Sequence, residues 1–347
     1  MKRNIYLKTI PPAEAVARVK ASIDREALIR EETIPSHEAS GRVLAHAVHA
    51  RYSSPTFHSA AMDGYAVNAR STFAAREGHP LTLKAGETCF AVNTGHPMPE
   101  GCDAVIMIEQ VVLDGGSVTI EAPAFPWQHV RRIGEDIVAT ELLFPRNHQL
   151  RPWDVGALLS GGIWDVPVWE RVTVRIIPTG DEVLDFTTHP DPGKGQVVES
   201  NSQMLAALAR ELGCVVERAA PVPDNPEALH QALKDSLDAG RHLTIFCAGS
   251  SAGSKDFTRA TLEKEGEILT HGIAAMPGKP SLLANCRGRL VAGAPGYPVS
   301  ALVCFKELLE PLISWLSHRE PPAKTVVPVE LTRTVPSRPG VEEHVRV

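Results

Sequence analysis

The sequence holds no C-x-x-C pair and no zinc-ligand spacing; Cys89, Cys102, Cys214, Cys247, Cys286 and Cys304 are widely scattered. A local redox motif and a Cys-rich zinc site are thereby excluded, and the thiols read as small buried hydrophobes in a reducing cytoplasm. No stretch reaches 18 uninterrupted apolar residues, and the basic segment Met1 to Lys8 lacks an apolar run before Pro11-Pro12, so neither a membrane span nor a secretory leader is expected. Positive charge is not in excess: 35 Lys plus Arg stand against 41 Asp plus Glu, a net charge of −6. A polyanion-coating role needs a basic surface to displace counterions, so nucleic acid is not an expected partner. The G-x-G-x-x-G fingerprint is also missing, and Pro277-Gly-Lys279-Pro280 is no P-loop, because Lys279 precedes Pro and the preceding glycine spacing is wrong.

What remains is an ordinary globular composition, 43% hydrophobic and 22% charged over 347 residues, long enough for two or three domains. Val16, Val19, Ile23 and Ala27 share one helical face, which predicts an amphipathic helix over 13–28, and Leu44 to Val48 suggests a second short element. Residues 51–140 carry short β-type runs between Gly, Pro and Asn, with Asp114-Gly115-Gly116 as a hairpin turn. From Arg171 apolar β-type runs alternate with helices, which predicts a mostly parallel sheet covered by helices. Ser200 to Gln203 reads as a capping box, Asn225-Pro226 as an N-cap with proline at the first helical position, and Gly213 as a helix stop. A strand begins near Cys214, a long helix spans Ala301 to Leu316, and a β-like tail runs from Val326 to Val347.

Ligands of parallel α/β sheets bind beyond the carboxyl ends of the strands. Four turns there are polar: Pro178 to Glu182, Pro223 to Pro226, Ala248 to Asp256, and Gly293 to Ser300. In the third, Gly249, Ser250, Ser251, Gly253 and Ser254 let backbone N–H groups approach an anion ahead of a helix terminus, an oxyanion cradle, although a ligand-free Gly/Ser loop has the same composition. Like charges about 4 Å apart repel by about 4 kcal/mol at an effective dielectric of about 20. A hard cation among Glu182, Asp224 and Asp256 removes that cost, and carboxylates with phosphate oxygens are the usual ligands of Mg²⁺. Lys279 offers positive charge to an oxyanion, whereas His37, His46 and His49 lack a third ligand of fixed register and read as surface histidines.

Six motifs then occur in one order: Ser59-Ala-Ala-Met-Asp63-Gly-Tyr-Ala66, Asn93-Thr94-Gly-His-Pro97 through Val105, Arg131-Arg-Ile-Gly134-Glu135-Asp136-Ile137, Thr179-Gly-Asp-Glu182, Pro277-Gly-Lys279-Pro280, and Pro295-Gly-Tyr-Pro298-Val-Ser300. Together they resemble the molybdopterin molybdenumtransferase family, which includes MoeA and the E domain of gephyrin, over nearly the whole chain. The resemblance implies a multidomain α/β plus β fold. Its parts are an elongated helical N-terminal domain (1–50 and 141–170), an inserted mostly-β domain (51–140), a MogA-like three-layer α/β molybdopterin-binding domain (171–317), and an incomplete start of a C-terminal β domain (322–347). It implies an enzyme of molybdenum cofactor biosynthesis that inserts molybdate into adenylylated molybdopterin, with Mg²⁺-dependent release of AMP. A homodimer supplied by a molybdopterin adenylyltransferase is implied as well. By motif, Asp63 and Thr94 approach from the partner subunit, Glu182, Asp224 and Asp256 surround metal and phosphoanhydride, and Pro295 and Pro298 shape the turn near the pterin. The chain departs from the family at Ala248-Gly-Ser-Ser251, at Met276 where a basic residue is common, and at Tyr297 where Asn is common. A catalytically weak pterin-binding scaffold of the same fold is the alternative. A stand-alone adenylylating enzyme would use the α/β domain without the β module.

Overall fold

Buried β-type runs and one-sided helices alternate in the first of two units of the computed structural model, which describes residues 8–247, 257–330, 332–335 and 337–345. This α/β unit comprises Met1–Glu32, Gly41–Ala45 and Val168–Val347; the second, β-rich unit comprises Thr33–Ser40 and His46–Pro167. In the α/β unit we label helices α1 (Pro12–Ser22), α2 (Asn201–Glu211), α3 (Pro226–Asp238), α4 (Phe257–Glu265) and α5 (Pro298–Cys304). Its principal strands are β1 (Thr173–Pro178), β2 (Val215–Arg218), β3 (Leu243–Cys247), β4 (Gly266–His271), β5 (Leu282–Cys286) and β6 (Arg289–Ala294). They form one sheet in the order β2-β1-β3-β6-β5-β4.

The first four strands of that order are parallel, but β5 runs antiparallel to β6 and β4 antiparallel to β5. The expectation of a mostly parallel sheet is borne out: five of the six strands point the same way and β5 alone runs against them. Only Arg287-Gly288 separates β5 from β6, both at positive φ, and so short a connection can join only antiparallel neighbours.

Alternation along the strands divides the core. Val174 and Ile176 of β1 and Ile245 of β3 pack with Leu205, Ala206 and Ala209 of α2, with α1 and with α5. Ile177 and Phe246 point the other way, toward Leu229, Leu233 and Leu237 of α3 and Leu262 of α4. The result is three layers, as period-two strands between period-3.6 helices require. Leu205, Leu229 and Leu233 are at most 2% exposed, each stabilising the layer by about 2 kcal/mol.

Helix ends correct the sequence reading in places. The helix expected over 13–28 is interrupted: Ile23 is extended, and Asp24 accepts the Ala27 N–H at 3.2 Å to start a separate turn, Arg25–Leu28. Asn225 caps α3 as expected, accepting from Ala228 N–H at 2.8 Å with Pro226 at the first position. The expected capping box at Ser200 does not form. Ser200 makes no side-chain cap, and Glu199 instead accepts the Ser202 N–H at 2.7 Å; the longer carboxylate reaches the free donor from one residue earlier. The strand expected at Cys214 begins at Val215, and the helix expected over 301–316 starts at Pro298 and passes through a π-type segment, Phe305–Leu309. Between Leu44 and Val48, the only strand is Val48–His49, at the end of the stretch. Among the described tail residues, the expected β-like run reduces to Glu342–Glu343, paired with Ala275–Met276.

In the β-rich unit, Gly64–Val67 is the central strand between Cys89–Val92 and Ala104–Met107, all antiparallel. A second sheet pairs Ser117–Ile120 with Leu81–Lys84 and Val111–Asp114. The expected hairpin is present: Gly115 and Gly116 take φ of +50° and +91°, the pair of positive values a two-residue primed turn needs. Val67, Leu83, Cys89, Ile106, Val118 and Ile120 fill the core of this unit.

Candidate functional site

From β1 the chain crosses to β2 on one side and then returns to β3 on the other, so the strand order reverses between β1 and β3. Strand-to-helix connections diverge at such a point and leave a crevice beyond the carboxyl ends. A cleft of about 690 Å³ lies there, with Pro178, Thr179 and Glu182 after β1, Cys247 at the end of β3 and Pro295 to Pro298 after β6 among its walls. Thr179 ties the two diverging strands: its N–H and hydroxyl both donate to the Cys247 carbonyl, at 3.0 and 2.9 Å. Burial pushes the Cys247 thiol far above its ordinary range, with the Glu199 charge adding to the effect; the group stays protonated and is no nucleophile at neutral pH.

Glu182 stands on the cleft wall, exposed, and among the described residues its carboxylate has no hydrogen-bond or ion-pair partner. Gly180, ahead of it, has φ of +139°, and a Cβ there would lie 2.7 Å from a Val183 methyl and 3.1 Å from the Glu182 carboxyl. The glycine of the Thr-Gly-Asp-Glu motif is thus required by both backbone and space. The arm continues through two short strands, Val183–Leu184 paired with Val197–Val198, and reaches Glu199.

Glu199 is 6% exposed and forms part of the cleft wall. Its carboxylate accepts from the Ser202 N–H and hydroxyl at 2.7 and 2.5 Å and lies 3.4 Å from the Arg218 guanidinium. Arg218 also pairs with Asp185 at 3.1 Å and lies over the Phe186 ring at 4.6 Å. The N–H of Thr187, with its hydroxyl and Arg218, holds the Asp185 carboxyl below the usual range. One cation on β2 thereby ties together Asp185 and Glu199, the residues that follow the two short paired strands of the arm. Asn201 fixes the opposite lip, its Nδ2 donating to the Gly296 carbonyl at 2.6 Å. Glu199, Asn201, Arg218 and Asp185 were not singled out from the sequence; the Val-Glu-Ser-Asn run before a helix was the one available signal.

The other expected residues fall as follows. Pro295 and Pro298 line the cleft, as does Pro280, whereas Lys279 is exposed and is not among its walls. Asp224 stands beside the first turn: its N–H donates to Asp181 Oδ1 at 3.1 Å, next to the Thr179–Val222 bridge, and it does not line the cleft itself. Gly249, Ser250, Ser251, Gly253, Ser254 and Asp256 lie outside the described residues. Among the described residues no three His, Cys, Asp or Glu side chains are grouped to hold a metal, and His37, His46 and His49 are exposed.

In the β-rich unit Asp63 and Thr94 meet although 31 residues apart. Pairing of Gly64 with Val92 brings the two strand ends together, and the Thr94 N–H and hydroxyl both donate to Asp63 Oδ1, at 2.7 and 3.0 Å. Those bonds, the N–H foremost, hold the Asp63 carboxyl below the usual carboxylate range. Gly64 is needed beside it, since a Cβ there would fall 2.0 Å from the Ile106 carbonyl oxygen.

Two family models match the chain: the MoeA N-terminal region (domain I and II) over residues 10–162, and a probable molybdopterin binding domain over 175–315. The molybdopterin molybdenumtransferase of Haemophilus influenzae is 34% identical over 309 residues, 83% of this chain and 74% of the relative. That of Synechococcus elongatus is 32% identical over 81% of this chain and 74% of its own length. A crystal structure of the molybdopterin biosynthesis protein MoeA from Pyrococcus horikoshii superposes with a TM-score of 0.76 at 29% identity, covering 90% of this chain and 81% of that one. Among the described residues no helix is long and apolar enough to cross a membrane. On its fold, its ordered motifs and these identities, the chain belongs to the molybdopterin molybdenumtransferase family, enzymes of molybdenum cofactor biosynthesis.

Proposed function

We propose that this chain inserts molybdate into adenylylated molybdopterin and releases AMP, acting as a cytoplasmic homodimer supplied by a molybdopterin adenylyltransferase. The observation that carries the reading is the cleft at the strand-order reversal, with the unpartnered Glu182 carboxylate on its wall. A cleft of about 690 Å³ is in the range that accommodates a ligand of drug size or larger.

Glu182, Asp224 and Asp256 are the proposed metal-facing acids. Their donor chemistry fits Mg²⁺: hard carboxylate oxygens, few in number, suit an ion that keeps waters and takes its remaining ligands from phosphate. When bound, Mg²⁺ would neutralise and polarise the phosphoanhydride. The cradle of Gly249, Ser250, Ser251, Gly253 and Ser254 is proposed for the phosphates, with Lys279 contributing charge, and Pro295 and Pro298 for the pterin.

In this mechanism the dithiolene sulfurs displace oxygens of molybdate and water cleaves the phosphoanhydride, while the protein supplies position and charge and no covalent nucleophile. The protonated state of Cys247 agrees with that division of labour. Asp63, held ionised and oriented by Thr94, is proposed to act from the partner subunit. Exposed Tyr52, Phe57, Trp153 and Trp164 in the β-rich unit support a further covering surface for that unit.

Complementation tests the reading: the chain is expressed in a strain lacking its own molybdenumtransferase, and nitrate reductase activity is measured without surplus molybdate. Rescue by the wild-type chain and none by Glu182→Ala is expected. A soluble, dimeric wild-type product that fails to rescue would favour the pterin-binding scaffold instead.

A further inference from the structure

Tyr297 is 82% exposed. Every other exposed aromatic among the described residues, from Tyr52 to Trp164, belongs to the β-rich unit. In the α/β unit an exposed ring is therefore an exception, and Tyr297 lies on the wall of the cleft. The same cleft wall carries further exposed apolar side chains, Val197 at 52% and Val198 at 39%. Apart from Val215, Val299 and the tail valines, the large exposed apolar residues of this unit among the described residues line this cleft.

The ring stands on a fixed base. Asn201 Nδ2 holds the Gly296 carbonyl at 2.6 Å, Pro295 and Pro298 restrict the backbone on both sides, and α5 begins at the next residue. A solvent-facing aromatic on a rigid turn loses little conformational freedom when a ligand covers it. Its own side chain has no hydrogen-bond partner among the described residues, so the phenol contributes nothing to the fold there.

We propose that Tyr297 is a stacking platform that sets affinity for the planar pterin ring of the substrate. The inference rests on the function proposed above and goes beyond it by giving a role to a residue in which this chain departs from the common Asn. An amide at this position offers hydrogen bonds, whereas the phenol ring offers a π-face and apolar area. Val197 and Val198, exposed on the wall of the same cleft, add apolar area to the surface that a ligand stacked on the ring would cover.

The test titrates 6-hydroxymethylpterin, followed by its own fluorescence, and AMP, followed calorimetrically, into the full-length wild-type chain and into Tyr297→Ala, Tyr297→Phe and Tyr297→Asn. Stacking on one aromatic side chain is typically worth about tenfold in affinity. Tyr297→Ala and Tyr297→Asn are expected to weaken pterin binding by about that factor, Tyr297→Phe to retain it, and AMP binding to be unchanged in all three. A side chain so exposed is not needed for folding, and unchanged thermal melts confirm this. Equal pterin affinity for the wild type and Tyr297→Ala overturns the inference alone, as does a loss in Tyr297→Phe equal to that in Tyr297→Ala. A loss confined to AMP assigns the ring to adenine and overturns it too. A wild-type chain that binds no pterin refutes the proposed function together with the inference.

Discussion

Arg218→Met is the perturbation whose size the structure sets most directly. The Arg218, Glu199 and Asp185 side chains are 13%, 3% and 23% exposed, so the methionine removes a cation from between two acids that are largely out of water. Deleting one partner of a buried pair costs about 3–5 kcal/mol. Here Glu199 keeps two donors from Ser202, and Asp185 keeps Thr187 and some solvent, which brings the expected loss to about 2–3 kcal/mol. For a unit of this size that is about 5–10 °C in melting temperature. Differential scanning calorimetry reads it, the loss falling on the transition of the α/β unit. Glu199→Gln in the Arg218→Met background should recover part of the loss, because it neutralises the carboxylate left unpaired. A melt within about 1 °C of wild type would refute the claim that one cation ties Asp185 and Glu199 together.

Other expectations follow from the same geometry. Thr94→Val removes the hydroxyl donor but leaves the stronger N–H bond, so the Asp63 carboxyl should titrate higher, part of the way back toward about 3.9, by carboxyl NMR. The sign is that of a depressed acid: its stabilising contribution is complete above the ordinary value and lost as pH falls through the lowered one, so Thr94→Val should lose activity at a higher pH than wild type. Gly64→Ala drives a methyl into the Ile106 carbonyl and should destabilise the β-rich unit by about 3 kcal/mol in urea melts; a neutral result would remove steric necessity as the reason for glycine beside Asp63. Asp256→Ala should abolish AMP release while leaving a folded dimer, judged by nucleotide chromatography and sedimentation; normal hydrolysis would remove Asp256 from the mechanism.

Local chemistry settled what depends on neighbours along the chain. The Asn225-Pro226 cap and the Gly115-Gly116 turn were legible because φ and capping preferences act within a few residues. The ordered motifs likewise marked Glu182, Asp63, Thr94, Pro295 and Pro298 before any coordinates. Tertiary structure alone decided which partners distant groups find. The turn of β5 and β6, and with it the mixed sheet, depended on strand pairing that no single strand encodes. Glu199, which accepts the Ser202 N–H in place of Ser200, also pairs with Arg218, 19 residues on. Asp63 met Thr94 because Gly64 aligned with Val92. Tyr297 was visible in the sequence only as a departure; that its ring stands exposed at a cleft rim is a matter of burial, which is summed over the whole fold.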